Sequence, residues 1–170
     1  MRIEPATPND LADIRSAYEH GRVTQREQGA IVWPEFTDIS ILGEINAQRL
    51  FRVVAEDTVV GVFTVAYEDA AIWGSHERGA HLYLHRIARA GQYPGRGLMD
   101  AILAWAHQQC MLLGRDGLRM DTWASNSALI EFYQRRGFHL VAERTLGVDP
   151  RLPPHYHGNS FALLERSRER

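Results

Sequence analysis

Three groups of residues in this 170-residue chain have types and spacing that could do chemistry. The first is the stretch QYPGRGLMDAIL, residues 92–103. It reads as a glycine-rich turn feeding a helix. Such a turn aims backbone N–H groups at one point, where the helix dipole adds partial positive charge, and so suits a phosphate-bearing ligand. Gly95, Arg96, Gly97, Leu98 and Met99 supply the expected donors, while Pro94 has no N–H to give. A plainer role remains open, in which the glycines at 91, 95 and 97 only make a tight strand-to-helix turn.

The second group lies in HLYLHRIA, where period-two alternation places His81, Tyr83 and His85 on one strand face and Leu82 and Leu84 on the other. An imidazole, with a pKa of about 6.5, can take a proton from an ammonium group directly or through water. Purely structural histidines fit the pattern equally well. The third group is Trp33, Phe36, Tyr67, Asp69, Trp73 and Trp123. Aromatic faces with a carboxylate suit a cationic amine, by cation–π attraction and ion pairing; core packing competes for every tryptophan. Cys110 is the only cysteine and falls mid-helix on an apolar stripe, a poor place for a nucleophile. His155 and His157, in HYH, lack acidic or thiolate company, so no metal is expected.

These groups need elements to position them. RIEP can open as a strand, and Thr7, Pro8 and Asp10 signal a helix start, with Leu11, Ile14, Ala17 and Tyr18 on one face. A VWPEF loop follows, then a second helix from Thr37 with Ile39, Leu42 and Ile45 inward. LFRVVAE and VVGVFTVAY form a hairpin around Asp57-Thr58. AHLYLHRIAR is a strand, and a helix runs from Gly97 to about Leu113. On that helix Met99 falls in register with Ile102, Leu103, Ala106, Cys110 and Leu113; a competing stripe is Leu98, Ile102 and Trp105. GLRMDTWA is a strand, Asn126 to Arg136 a helix closed by Gly137, and FHLVAERTLGV and NSFALLER are the last strands. This order specifies an α/β (α+β) domain with a mixed sheet and helices packed on it.

The length suits one domain over residues 1–170. A net charge of −2 without a basic block argues against nucleic acid. VVGVFTVAY is too short to span a membrane, and no signal-peptide pattern opens the chain, so a cytoplasmic location is expected.

LYLHRIARAGQYPGRGLMDAILAWA and LRMDTWASNSALIEFYQRRGF together resemble the two signature regions of the GCN5-related N-acetyltransferase (GNAT) superfamily. The likeness spans roughly residues 2–165, including a WP loop and an IWG segment. It implies a mostly antiparallel central sheet flanked by helices, acetyl-CoA as co-substrate, and direct acetyl transfer to a small primary amine. A Q/R-x-x-G-x-G/A turn would hold the pyrophosphate. Set with Pro94 at its first position, this signature meets Met99 at its last, two departures that would weaken binding. A register two residues upstream, from Gln92 to Gly97, is taken as accidental. By resemblance, Tyr133 is the acid that protonates the leaving thiolate, and His81 stands near the place of a base. The backbone of Ile87, Ala88 and Arg89 would pair with pantetheine, and Asn126 would cap its helix or contact CoA. The resemblance leaves a homodimer open. The alternative is a degenerate relative that binds a ligand or partner without catalysis.

Overall fold

The computed structural model describes residues 1–168. After strand β1 (Arg2–Pro5), the chain turns at Thr7 into helix α1 (Leu11–Glu27). The Thr7 N–H and hydroxyl both donate to Asp10 Oδ2, at 2.7 and 2.8 Å, so a carboxylate one turn on satisfies the helix entry. Ile14, Ala17 and Tyr18 make the buried face that 3.6-residue spacing demands. Thr37 caps α2 (Asp38–Asn46) by accepting the Ser40 N–H at 3.2 Å. One expectation fails here. Ile41 and Ile45 are the buried pair with Leu42 beside them, and Ile39 is 85% exposed. Ile39 precedes Ile41 by two residues, about 200° round the helix, and so faces away.

Strands β2 (Leu50–Ala55) and β3 (Thr58–Ala66) form the hairpin, but it turns at Glu56-Asp57, one residue before the expected place. Both residues have positive φ, 48° and 59°, as a two-residue turn matched to strand twist requires. The short helix α3 (Ala70–Trp73) was not foreseen. It precedes β4 (His81–Arg89), α4 (Leu98–Leu113), β5 (Gly117–Trp123), α5 (Ser127–Gln134), β6 (His139–Thr145) and β7 (Ser160–Ser167). The strands follow the order β1-β2-β3-β4-β5-β7-β6, a mixed and mostly antiparallel sheet with β4 and β5 parallel, as expected of the fold class.

Length predicts one domain; the packing divides the chain into two compact units. The first comprises residues 1–65 and 84–106, and its core joins Ile14, Ala17 and Tyr18 to Ile41, Ile45, Leu50, Val62 and Ala88. The second comprises residues 66–83 and, of the described residues, 107–168. There the parallel register runs from His81 opposite Gly117 to Tyr83 opposite Arg119, and β7 lies antiparallel to both β5 and β6. Trp73, Tyr83, Trp123, Phe161 and Leu163 centre that core.

Candidate active site

In the first unit, the turn after β4 holds Gly95 at φ 80° and Gly97 at φ 72°, and α4 begins at Leu98. Both values lie where only glycine is unstrained. They show where the turn itself requires glycine. With Pro94 at its head, the final glycine position would be Met99, yet Met99 is already within α4. With Gln92 at its head, the two glycine positions fall on Gly95 and Gly97, the left-handed residues of the turn.

The apolar stripe also differs from the expected one. Leu98, Ile102, Leu103, Ala106 and Cys110 are buried, Met99 is half-buried, and Leu113 is half-exposed. Leu98 turns inward because Gly61 of β3 leaves it room: a Cβ there would lie 2.9 Å from Leu98 Cδ1. Trp105 packs on Phe51 and Phe63.

The Leu98 N–H donates to Gly95 O at 3.3 Å, and the Ala101 N–H to Gly97 O at 2.9 Å. That withdraws Leu98 from the expected donor set, of which Gly95, Arg96, Gly97 and Met99 remain. Two side chains brace the turn from within. The Arg89 guanidinium donates to the carbonyls of Gly91, at 3.2 Å, and of Tyr93. The Tyr93 hydroxyl donates to Arg96 O at 2.8 Å. Loop carbonyls are thereby tied up by the protein itself. A Cβ on Gly95 would come 3.1 Å from Arg89 Cδ, so the glycine also makes room for its brace.

Burial does not alternate along strand β4. His81, Leu82, Tyr83 and Leu84 are all buried, as befits a strand covered on both faces. Arg86 then takes φ 50°, which breaks the pleat ahead of Ile87, Ala88 and Arg89. No glycine or asparagine announces that break in the sequence. His85, just before it, is half-buried, and its carbonyl accepts the Thr64 hydroxyl at 3.2 Å.

Trp33 and Phe36 pack around Tyr18, with ring centroids 6.3 and 4.7 Å from it. The Arg86 guanidinium lies 4.9 Å from the Phe36 centroid, and its Nη1 is 3.7 Å from Glu44 Oε1. So this pair of expected acceptor residues shares one cluster with the strained β4 residue. Helical spacing marks Tyr18 only as a core residue of α1, and nothing in the sequence around Arg86 separates it from the surface.

The second unit holds the remaining candidates. Tyr133 is buried between Phe132 and Phe138, and burial pushes its phenol well above the usual value. It is fully protonated at neutral pH, as a proton donor must be. Asn126 caps α5, its Oδ1 accepting the Leu129 N–H at 3.1 Å. Tyr67 is half-exposed with the Arg115 guanidinium 5.3 Å from its ring centroid. Asp69 caps α3, accepting the Ile72 N–H at 3.4 Å. Trp73 and Trp123 are core residues, and one face of Trp73 is covered by Arg119 at 4.2 Å.

His81 belongs to a buried charge network. Arg119 is bonded to Glu165 at 2.9 and 2.8 Å, to His76 O at 2.8 Å and to the Tyr83 hydroxyl at 3.0 Å. Tyr83 in turn donates to Glu77 Oε2 at 2.6 Å. His81 Nε2 lies 3.5 Å from Glu165. Burial, and after it the Arg119 charge, push the His81 imidazole below its usual value against the pull of Glu165, so it is neutral at pH 7.

Residues 11–138 match the family model described as the acetyltransferase (GNAT) family. The uncharacterized N-acetyltransferase YesJ of Bacillus subtilis (strain 168) is 25% identical over 151 residues, covering 84% of each chain. A GNAT-family acetyltransferase of Listeria monocytogenes superposes with a TM-score of 0.74 at 20% identity, over 98% of this chain and 94% of that one. YncA of Salmonella typhimurium, solved with its cofactor acetyl-CoA, gives 0.69 at 16% identity, over 100% and 95%. At these identities the solved structures speak for the fold, whereas the family model spans most of the sequence, loop and helices included. The chain belongs to the acetyltransferase (GNAT) family.

Proposed function

We propose that the protein transfers the acetyl group of acetyl-CoA to a small primary amine, directly and within a ternary complex. The observation that carries this is the turn at Gly95 and Gly97. It is left-handed at both glycines, braced internally by Arg89 and Tyr93, and placed at the N-terminus of a sixteen-residue helix. Such a turn holds a pyrophosphate through N–H groups of Gly95, Arg96, Gly97 and Met99. The solved YncA, with acetyl-CoA, gives the fold a precedent for that ligand.

The backbone of Ile87 to Arg89 is assigned to the pantetheine arm, and Asn126 to a CoA contact beyond its capping role. A neutral amine nitrogen bonds to the thioester carbon, and the proton it sheds goes to a histidine or water. The C–S bond breaks, and the thiolate takes its proton from Tyr133. His85, half-buried beside the break at Arg86, suits the base better than His81, which is buried in a charge network. Trp33, Phe36, Tyr67 and Asp69 stay assigned to the acceptor. Cys110 is buried and its thiol is pushed up to about 11, which suits direct transfer better than an acyl-enzyme. The alternative, a binder without catalysis, rests on Pro94 and Met99; the left-handed turn at Gly95 and Gly97 supports the transferase reading over it.

Calorimetric titration of acetyl-CoA tests the assignment. Wild type should bind in the micromolar range, and Gly95→Val should bind at least tenfold more weakly, since a branched side chain at that φ is strained by about 1–2 kcal/mol and collides with Arg89. No binding by wild type, or equal binding by both, would overturn it.

A further inference from the structure

Two glycines of the first unit have no left-handed backbone to explain them: Gly21, within α1, and Gly91, at the entry to the phosphate turn. Glycine inside a helix is unfavourable relative to alanine, so Gly21 answers a need for room. A Cβ there would lie 3.2 Å from the Trp33 indole and 4.0 Å from the Cβ of Ala88, near the end of β4. A Cβ on Gly91 would lie 3.3 Å from Nδ1 and 3.5 Å from Cγ of His20, the residue next to Gly21. The two glycines therefore mark one place. There α1 closes on the last residues of β4 and on the start of the turn.

Gly91 is thus held from two sides. Its carbonyl accepts the Arg89 guanidinium at 3.2 Å, and the His20 ring stands where a side chain would otherwise project. The ring does this by its volume, since its Nε2 is buried with no hydrogen-bond partner among the described residues. From Gly91 the chain stays fixed. The Tyr93 N–H donates to Ala90 O at 3.0 Å, and the Tyr93 hydroxyl donates to Arg96 O at 2.8 Å, between Gly95 and Gly97. A continuous set of contacts therefore joins His20 to the N–H groups assigned to the pyrophosphate.

We propose that His20 is a positioning residue for acetyl-CoA: from α1, its ring sets the entry of the phosphate turn and so keeps the backbone N–H groups of Gly95, Arg96, Gly97 and Met99 in place for the pyrophosphate. The inference rests on the transferase assignment above for its ligand. A loop already held in its binding shape loses less freedom when the ligand arrives, which raises affinity. His20 needs no contact with the ligand to have this effect. Because the ring acts by shape, an aromatic ring without nitrogens can take its place.

Calorimetric titration of acetyl-CoA, beside hydrogen exchange at the bonded amides of Tyr93, Leu98 and Ala101, tests this. His20→Ala should bind acetyl-CoA about fivefold more weakly than wild type and exchange those amides faster, whereas His20→Phe should stay within about twofold of wild-type affinity. Gly91→Ala, whose methyl meets the ring, should weaken binding by about fivefold on its own. In the His20→Ala background, where the ring is gone, the same change should cost nothing further. Circular dichroism checks that each variant folds. Equal affinity of wild type and His20→Ala would overturn the inference, as would a His20→Phe variant as weak as His20→Ala. So would losses from Gly91→Ala and His20→Ala that simply add. Each of these results leaves the transferase assignment standing. Wild type that binds no acetyl-CoA would overturn that assignment and the role toward acetyl-CoA together, with faster exchange in His20→Ala still upholding the hold of His20 on the turn.

Discussion

Replacing Arg119 with methionine should lower folding stability by about 3–5 kcal/mol, the range for removing one partner of a buried ion pair. The side chain is 4% exposed and that of Glu165 18%, so little water is available to take over from the lost cation. The substitution strands Glu165, removes a donor from His76 O, and strips the charge from over Trp73. A domain of this size has a total stability of about 5–15 kcal/mol, so the loss is about a fifth or more of the whole. At about 2–4 °C per kcal/mol the melting temperature should fall by about 6–20 °C. Urea unfolding followed by circular dichroism at pH 7 measures it. The double variant Arg119→Met with Glu165→Met should regain at least half of the loss, since no buried charge is then left alone. A single-variant loss under about 1 kcal/mol, the scale of surface pairs, would refute the reasoning. So would a double variant whose loss equals the sum of the two single ones.

Other outcomes follow from the same contacts. Burial works to raise the Glu77 carboxyl, but the Tyr83 hydroxyl and the N–H groups of Asp69, Gly79 and Arg78 outweigh it and hold the group below its ordinary 4.5. Its contribution is fully present above that value and is lost as pH falls through the lowered one; Glu77→Gln should flatten the stability profile in that acid range, seen by urea unfolding at stepped pH. His81, also lowered, contributes stability that begins to fade as pH drops below 6.5, so His81→Phe should flatten the profile just below neutrality. Tyr133→Phe should reduce kcat by about 10²-fold or more while leaving acetyl-CoA affinity within twofold, measured by thiol release beside calorimetry; unchanged turnover would remove its role as acid. Gly61→Ala should lower stability by about 1–3 kcal/mol in thermal unfolding, since the added methyl meets Leu98 at 2.9 Å and Ala88 O at 3.1 Å.

Period and punctuation were enough to place most elements. The buried face of α1 follows from Ile14, Ala17 and Tyr18 at helical spacing, and Asn126 and Gly137 mark the ends of α5. Ile39 was misplaced because three isoleucines in α2 fit more than one phase, and only the sheet beneath selects Ile41 and Ile45. Leu98 displaced Met99 from the stripe for the same kind of reason: the deciding residue, Gly61, lies in another element. The glycines of the turn were legible by type, and the backbone adds that Gly95 and Gly97 are the two left-handed residues. Nothing local could reveal Arg86. Its left-handed backbone is imposed by neighbours on a residue type that ordinarily avoids it.

The bracing of the phosphate turn by Arg89 and Tyr93 bears on how this loop tolerates change. Its shape is stored in bonds from Arg89 and Tyr93 to carbonyls within the turn, while the proposed grip on a pyrophosphate uses backbone N–H groups. Form and surface are thus carried by different side chains. The exposed residues Gln92, Pro94 and Arg96 could then be exchanged to retune charge or attachment at the mouth without disturbing the turn. Arg89 and Tyr93 could not, even where they never meet the ligand. A library randomised across this segment would separate into freely variable and nearly invariant positions along that line, a division by conformational role and not by proximity to the bound molecule.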